Sequence, residues 1–247
     1  MLHKNSVALI ILAFCLPIVA FAQKVMDKKA QKIIQECVQA HGGKKYQDVD
    51  ISFQFRAYQF RIKNKGSMFQ YERSTPDSLK RPIHDVLNNA GFMRDINGEK
   101  QTLSQKEIDK YRESINSVAY FMLLPYKLTD AAVNLAHIGT ATFDNQKYDK
   151  IKVWFDVVGG GKDHSDVFCY WINQKTHTLD YIAYTNGGPR FRKATKRETV
   201  NGVVFQDYEN YEILDKTIPT TEYDAAFKSG KSKLLSKIEQ TNYQVNH

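Results

Sequence analysis

Asp163 and His164 stand side by side in DVVGGGKDHSDVF, which runs from Asp156 to Phe168. A carboxylate next to an imidazole can move a proton or hold a metal, and a glycine loop before them can cradle a phosphate. A phosphate loop, however, needs GxxxxGK followed by Ser or Thr and then a helix. Here Asp163 follows Gly161-Lys162, and a strand comes next. A carboxylate at that point would repel the phosphate. The three glycines also lack the GxGxxG spacing of a dinucleotide fold. Two readings remain. The loop is a bend joining KVWFDVV to DVFCYWI, with glycine supplying the backbone angles. Or it exceeds the structural minimum because Asp163 and His164 form a polar site.

Other chemistry is scarce. The histidines are dispersed, with no HExxH and no metal-ligand spacing, and there is no GxSxG elbow. No catalytic residue, metal or cofactor is expected, and an enzyme would carry no visible signature. Asp207 and Glu209 share a strand face, where like charges are simply solvated. The aromatic load is more telling: Tyr and Phe number 14 each. CYWIN, DYIAY and DYENY place rings on both phases of their strands, whereas a sheet with one solvated face should alternate more cleanly. Either helices cover the second face, or it lines a cavity. Tyr and Trp in a cavity suit amphiphilic ligands, but a plain aromatic core would read the same way.

The elements that must position these residues follow from periodicity. Ala30, Ile33, Ile34, Cys37 and Val38 predict a helix over Asp27–Ala40, stopped by Gly42-Gly43, with His41 helping to cap its end. VDISFQFRAYQFRI changes phase near Arg56-Ala57, which predicts a bulge or a long strand buried on different faces. SMFQYER is a further strand, and Asn97-Gly98 signals a hairpin. Ser104 and Glu107 form a capping box opening a helix. Its stripe of Ile108, Tyr111, Ile115, Val118, Ala119 and Met122 must cover a sheet. From Val133 the chain reads as a strand meander with a second Asn-Gly hairpin at Asn201-Gly202. EYDAAFKSG predicts a short helix, and KLLSKIEQTNYQV either a helix or a last strand. No β-α-β alternation appears, which argues against a parallel sheet.

The apolar run from Val7 to Ala22 is short for a membrane span, which takes about 20 residues. It ends in Ala20-Phe21-Ala22, so a secretory signal over residues 1–22, cleaved after Ala22, is expected, with export to the periplasm. Lipidation at Cys15 is disfavoured by bulky Phe14 and by the apolar chain that follows. Residues 23–247 would form one domain, with Cys37 and Cys169 its only cysteines. The formal charge is +8, or +7 without Lys4 of the signal. That excess suits anionic lipid headgroups, acidic polysaccharide or nucleic acid. The charges are spread and interleaved with acids, however, and nucleic acid is not expected as a partner.

The helix ending in AHGG, with FQFRAYQF, NSVAYFMLLPYKL, GGGKDHSDVFCYWIN, LDYIAYT, RFR and FQDYENY, resembles an uncharacterised family of exported bacterial proteins, a domain of unknown function. That family is similar in fold to the outer-membrane lipoprotein-sorting carriers. The resemblance implies a mainly β (α+β) fold: an incomplete antiparallel β-barrel, or strongly curved sheet, covered by the N-terminal helix and the central helical segment. It also implies a binding or carrier protein for a lipid, lipoprotein or other amphiphile; the basic excess adds an anionic membrane surface as a further partner. The resemblance carries over no site residues; from the aromatic strands themselves, Tyr170, Trp171, Tyr181 and Tyr184 would line the cavity, and Arg190 and Arg192 at its rim would meet an acidic headgroup. The alternatives are a hydrolase acting through Asp163 and His164, and a structural module of the cell envelope.

Overall fold

The computed structural model describes residues 27–161 and 164–247. The expected leader, Cys15 and Asp163 lie outside the described residues. Helix α1 (Lys28–His41) opens the described chain, followed by β1 (Asp48–Phe55), β2 (Tyr58–Lys65), β3 (Met68–Pro76), β4 (Pro82–Asn88), β5 (Gly91–Ile96) and β6 (Glu99–Lys100). Helix α2 (Gln105–Met122) leads into β7 (Val133–Phe143), β8 (Gln146–Phe155), β9 (Phe168–Asn173), β10 (Leu179–Tyr184), β11 (Arg190–Val200) and β12 (Val203–Ile213). The short α3 (Tyr223–Lys228) precedes β13 (Ser232–Ile238) and β14 (Gln240–Asn246).

The strands form two antiparallel seven-stranded sheets that do not close into a barrel. The first runs β14-β1-β2-β3-β4-β5-β6 and the second β13-β12-β11-β10-β9-β8-β7. Only Glu239 separates β13 from β14, so one stretch of chain passes from the second sheet to the first. At the opposite ends the chain leaves β6 and re-enters at β7 through α2. That helix therefore spans from one sheet to the other. KLLSKIEQTNYQV resolves as strand.

Each helix is set by local chemistry. The Asp27 side chain accepts from the Ala30 N–H at 3.0 Å, capping α1, and from the His137 N–H of β7 at 2.7 Å. Those backbone hydrogen bonds hold its carboxyl below the usual range. Gly42 follows α1 at φ 139°, and a Cβ there would lie 2.9 Å from the Gly202 carbonyl oxygen. Glycine is thus required where the helix end meets the β11–β12 turn. Ser104 and Glu107 form the predicted capping box of α2. The buried Ile33, Ile34 and Val38 of α1 contribute roughly 1.5–3 kcal/mol each when fully removed from water.

Two readings are corrected, and one strand is new. Arg56-Ala57 is a tight turn and not a bulge. Arg56 takes φ 56°, and Phe53 pairs with Phe60 across the resulting hairpin. The phase change is the strand reversing. His41 does not cap α1. It is buried inside the fold, and its Nε2 accepts from the Leu179 N–H at 3.2 Å. Burial, with the Arg197 charge nearby, pushes its pKa down to about 4. β4 was not foreseen at all, because PIHDVLN shows no clean alternation.

Candidate functional site

The second sheet is covered on both faces, which answers the question posed by its double-phase aromatics. On one face, Phe168, Tyr170, Ile182, Tyr184 and Tyr208 pack beneath α1 and the end of α2. On the other, Trp171, Tyr181, Ala183 and Phe191 pack beneath α3 with Tyr223 and Ala226. The four candidate aromatics are therefore split: Tyr170 and Tyr184 point one way, Trp171 and Tyr181 the other. Cys37 lies in the first cluster and Cys169 in the second, and both thiols are free. Lys150 fastens the α3 side, donating to Asp224 at 2.9 Å and to the Thr221 carbonyl at 2.6 Å.

On the α2 face a single transverse row crosses six strands. Ile151, Tyr170, Ile182, Arg192, Asn210 and Ser236 are successive cross-strand partners from β8 to β13. Directly opposed residues share a face, so this row is apolar towards β8 and polar towards β13. Helix α2 lays its last turns over the apolar part. The Phe121 ring lies 5.4 Å from that of Tyr184, and Tyr120 lies 6.3 Å from Phe155. The Tyr120 and Tyr170 hydroxyls are 3.3 Å apart. Burial raises the pKa of both, so these two phenols stay neutral donors and acceptors.

Arg192 sits where the row changes character. Its guanidinium carbon is 3.8 Å from the Phe121 ring centroid, 5.0 Å from Tyr184 and 6.0 Å from Tyr208. Its Nε is shielded from solvent and has no hydrogen-bond partner among the described residues. Beside it, the Asn210 Oδ1 is equally shielded and unpartnered, while the Asn210 amide donates to Ser236 Oγ at 3.3 Å. An unmet buried polar group costs about 1–3 kcal/mol, so each of these two atoms would gain from a partner. A carboxylate or phosphate oxygen satisfies a guanidinium, and a hydroxyl satisfies an amide oxygen.

Arg190 shares this face but is engaged elsewhere. It donates to the carbonyls of Gly187 at 2.6 Å and Pro189 at 3.4 Å, strapping the β10–β11 turn. In the glycine loop, a Cβ on Gly160 would lie 2.2 Å from the Asp156 carbonyl oxygen and 2.7 Å from Phe155 Cβ. That crowding explains one glycine, and φ values of 86° and 74° explain Gly159 and Gly161. His164 is half-buried in this bend. Two grooves, of 880 Å³ and 310 Å³, run along α1. Neither is lined by Arg192, Tyr170 or Tyr184, because the rings of α2 fill that space.

Sequence reasoning named Tyr170, Tyr184 and Arg192 but missed Asn210, Ser236, Tyr120 and Phe121. The alternation in β12 could have placed Asn210 with Tyr208. Nothing local places α2 over β10.

Two open antiparallel sheets spanned by a helix define a LolA-like fold. A LolA-superfamily protein from Nitrosomonas europaea is similar at a TM-score of 0.50 and 12% identity, over 87% of this chain and 92% of that one. An outer-membrane lipoprotein-sorting domain from Vibrio parahaemolyticus gives 0.46 and 9%, over 88% and 92%. A DUF1329-family protein from Desulfovibrio piger gives 0.39 and 9%, over 87% and 92%. At such identities the likeness is one of fold. The chain belongs to DUF6503, a family of unknown function, whose model matches residues 8–240. No curated protein matches it.

Proposed function

We propose that this protein binds an amphiphile with an acidic headgroup on the α2 face of its second sheet and serves as an exported carrier for it. The observation that supports this reading most is Arg192, caged by Phe121, Tyr184 and Tyr208 with its Nε unmet. The ligand's acidic group would take the guanidinium through charge-assisted hydrogen bonds. Its apolar part would lie along Ile182, Tyr170 and Ile151, displacing Tyr120 and Phe121. The exchange is of one buried apolar surface for another, so the hydrophobic effect sets little barrier to it. Lipids and lipoproteins both carry this chemistry. Trp171 and Tyr181, covered by α3, would not touch the ligand. Export to the periplasm, through the leader ending at Ala22, fits this role.

The test is direct titration with a long-chain fatty acid and with the corresponding alcohol. Arg192→Gln should weaken acid binding about tenfold or more, the range of a lost charge-assisted bond, and leave the alcohol unchanged. Equal affinity of wild type and variant for the acid would overturn the proposal.

A further inference from the structure

Arg192 differs from the other basic residues of β11 in what the chain sets against it. Arg190 stands opposite Glu212, and Lys193 opposite Glu209. Lys196 ion-pairs with Glu198. Arg197 stands opposite Gln206, donates from Nε to its Oε1 at 3.0 Å, and ion-pairs with Asp180. Arg192 stands opposite Asn210, a neutral residue whose shielded Oδ1 has no hydrogen-bond partner among the described residues. Directly opposed side chains have Cβ atoms only about 4.5–5.5 Å apart, so a headgroup held by Arg192 also meets Asn210. An ionised carboxylate accepts hydrogen bonds and cannot donate one. The Asn210 N–H is already given to Ser236 Oγ, which leaves the amide oxygen facing a second acceptor. The acid that satisfies Arg192 therefore does not satisfy its neighbour. A hydroxyl close to the acidic group does, since it donates to the amide oxygen while the anion takes the guanidinium.

We infer that the site selects an amphiphile that carries a hydroxyl close to its acidic group, and that Asn210 is the residue that reads the hydroxyl. The inference rests on the Arg192 reading and narrows it to a class of acid. A 3-hydroxy fatty acid and an acylglycerol phosphate both present this pair of groups. The selection follows from burial. A plain acid covers the Asn210 oxygen and leaves it unmet, a cost that the hydroxylated acid avoids. The apolar end of the row, from Ile182 to Ile151, receives the chain in either case and does not distinguish the two.

The experiment is calorimetric titration of the purified protein with two matched pairs of monomeric ligands: 3-hydroxytetradecanoic against tetradecanoic acid, and 1-tetradecanoylglycerol 3-phosphate against tetradecyl phosphate. The hydroxylated member of at least one pair should bind about tenfold tighter, and the pair that shows the gap identifies the carboxylate or the phosphate as the acidic group. Asn210→Leu should close that gap. Asn210→Asp, which sets a carboxylate opposite Arg192, should weaken binding of every acid about tenfold or more. Circular dichroism checks that each variant is folded, and Asn210→Asp carries the test if Asn210→Leu is not. No gap in either pair, a gap that persists in Asn210→Leu, or acid affinities unchanged in Asn210→Asp would overturn the inference. Where Arg192→Gln still weakens acid binding, such a result would leave the Arg192 site standing. Acid binding that is absent, or indifferent to Arg192→Gln, would overturn both.

Discussion

Helix α2 covers two arginine sites, one towards each end, and they are built on opposite principles. Under its N-terminal half, in the first sheet, Arg73 and Arg94 converge on Asp85. Arg73 reaches Asp85 Oδ2 from Nε at 3.1 Å and from Nη2 at 2.7 Å; Arg94 reaches Oδ1 at 2.6 Å and Oδ2 at 2.9 Å. The Arg73 Nη1 donates to Ser114 of α2 at 2.9 Å, and the Arg94 guanidinium lies 3.5 Å from the Tyr111 ring centroid. The Asp85 and Ser114 contacts are made, and the cluster fixes that half of α2 to the sheet. Under the C-terminal end, Arg192 has rings around it and no carboxylate partner among the described residues. The same residue type is structural at Arg73 and Arg94, where its partners come from the chain; at Arg192 it is the ligand anchor proposed above. The helix is thus ion-paired to the first sheet at one end; towards the other, Ile115, Ala119 and Met122 are buried in the core against the first sheet, and Tyr120 and Phe121 reach the second.

The comparison breaks most sharply at Asp85. Asp85→Ala would leave two buried guanidiniums without a counter-charge, an expected loss of about 3–5 kcal/mol. A urea midpoint close to wild type would remove the structural role of that triad. Acid offers a gentler separation. His41 resists protonation down to about pH 4 when folded, against an ordinary value of 6.5 in the unfolded chain. The unfolded chain therefore binds the extra proton between those values. The His41 contribution is whole above pH 6.5 and lost as pH falls towards 4, by roughly 3 kcal/mol. His41 lies against β10, so amide exchange should rise first around Arg192 and later around Arg73. His41→Gln should flatten that pH dependence. The smallest effect has the opposite sign. Arg192→Met, which removes a charge that has no ion pair among the described residues, should raise stability by about 1 kcal/mol while abolishing acid-ligand binding. A destabilised Arg192→Met would mean that the arginine serves the fold.

Much of the β architecture is legible locally. Asn97-Gly98 and Asn201-Gly202 adopt positive φ at both residues and turn the chain as such pairs do. The capping box at Ser104 and the Gly42 stop act within a few residues of their helix ends, so periodicity and cap chemistry suffice to find them. The Arg56-Ala57 turn escaped because neither residue announces a left-handed angle. The candidate site was legible only in pieces. Tyr170 and Trp171 are adjacent and equally aromatic, and both are fully buried. Which of them faces a ligand depends on which helix lies above, and α2 and α3 are distant in sequence from β9.

The sequence by itself determined that the chain is mainly antiparallel, where several of its hairpins turn, and that its central helix must cover a sheet. These follow from forces acting between neighbours: backbone angles, end-capping hydrogen bonds and the alternation of apolar side chains. Only the tertiary structure decided that Arg73 and Arg94 share Asp85 and that Arg192 has no such partner. Pairing of buried charge depends on which strands lie side by side beneath a helix. For Arg192, register across β10, β11 and β12 supplied two rings and an amide, and α2 a third ring, but no carboxylate among the described residues.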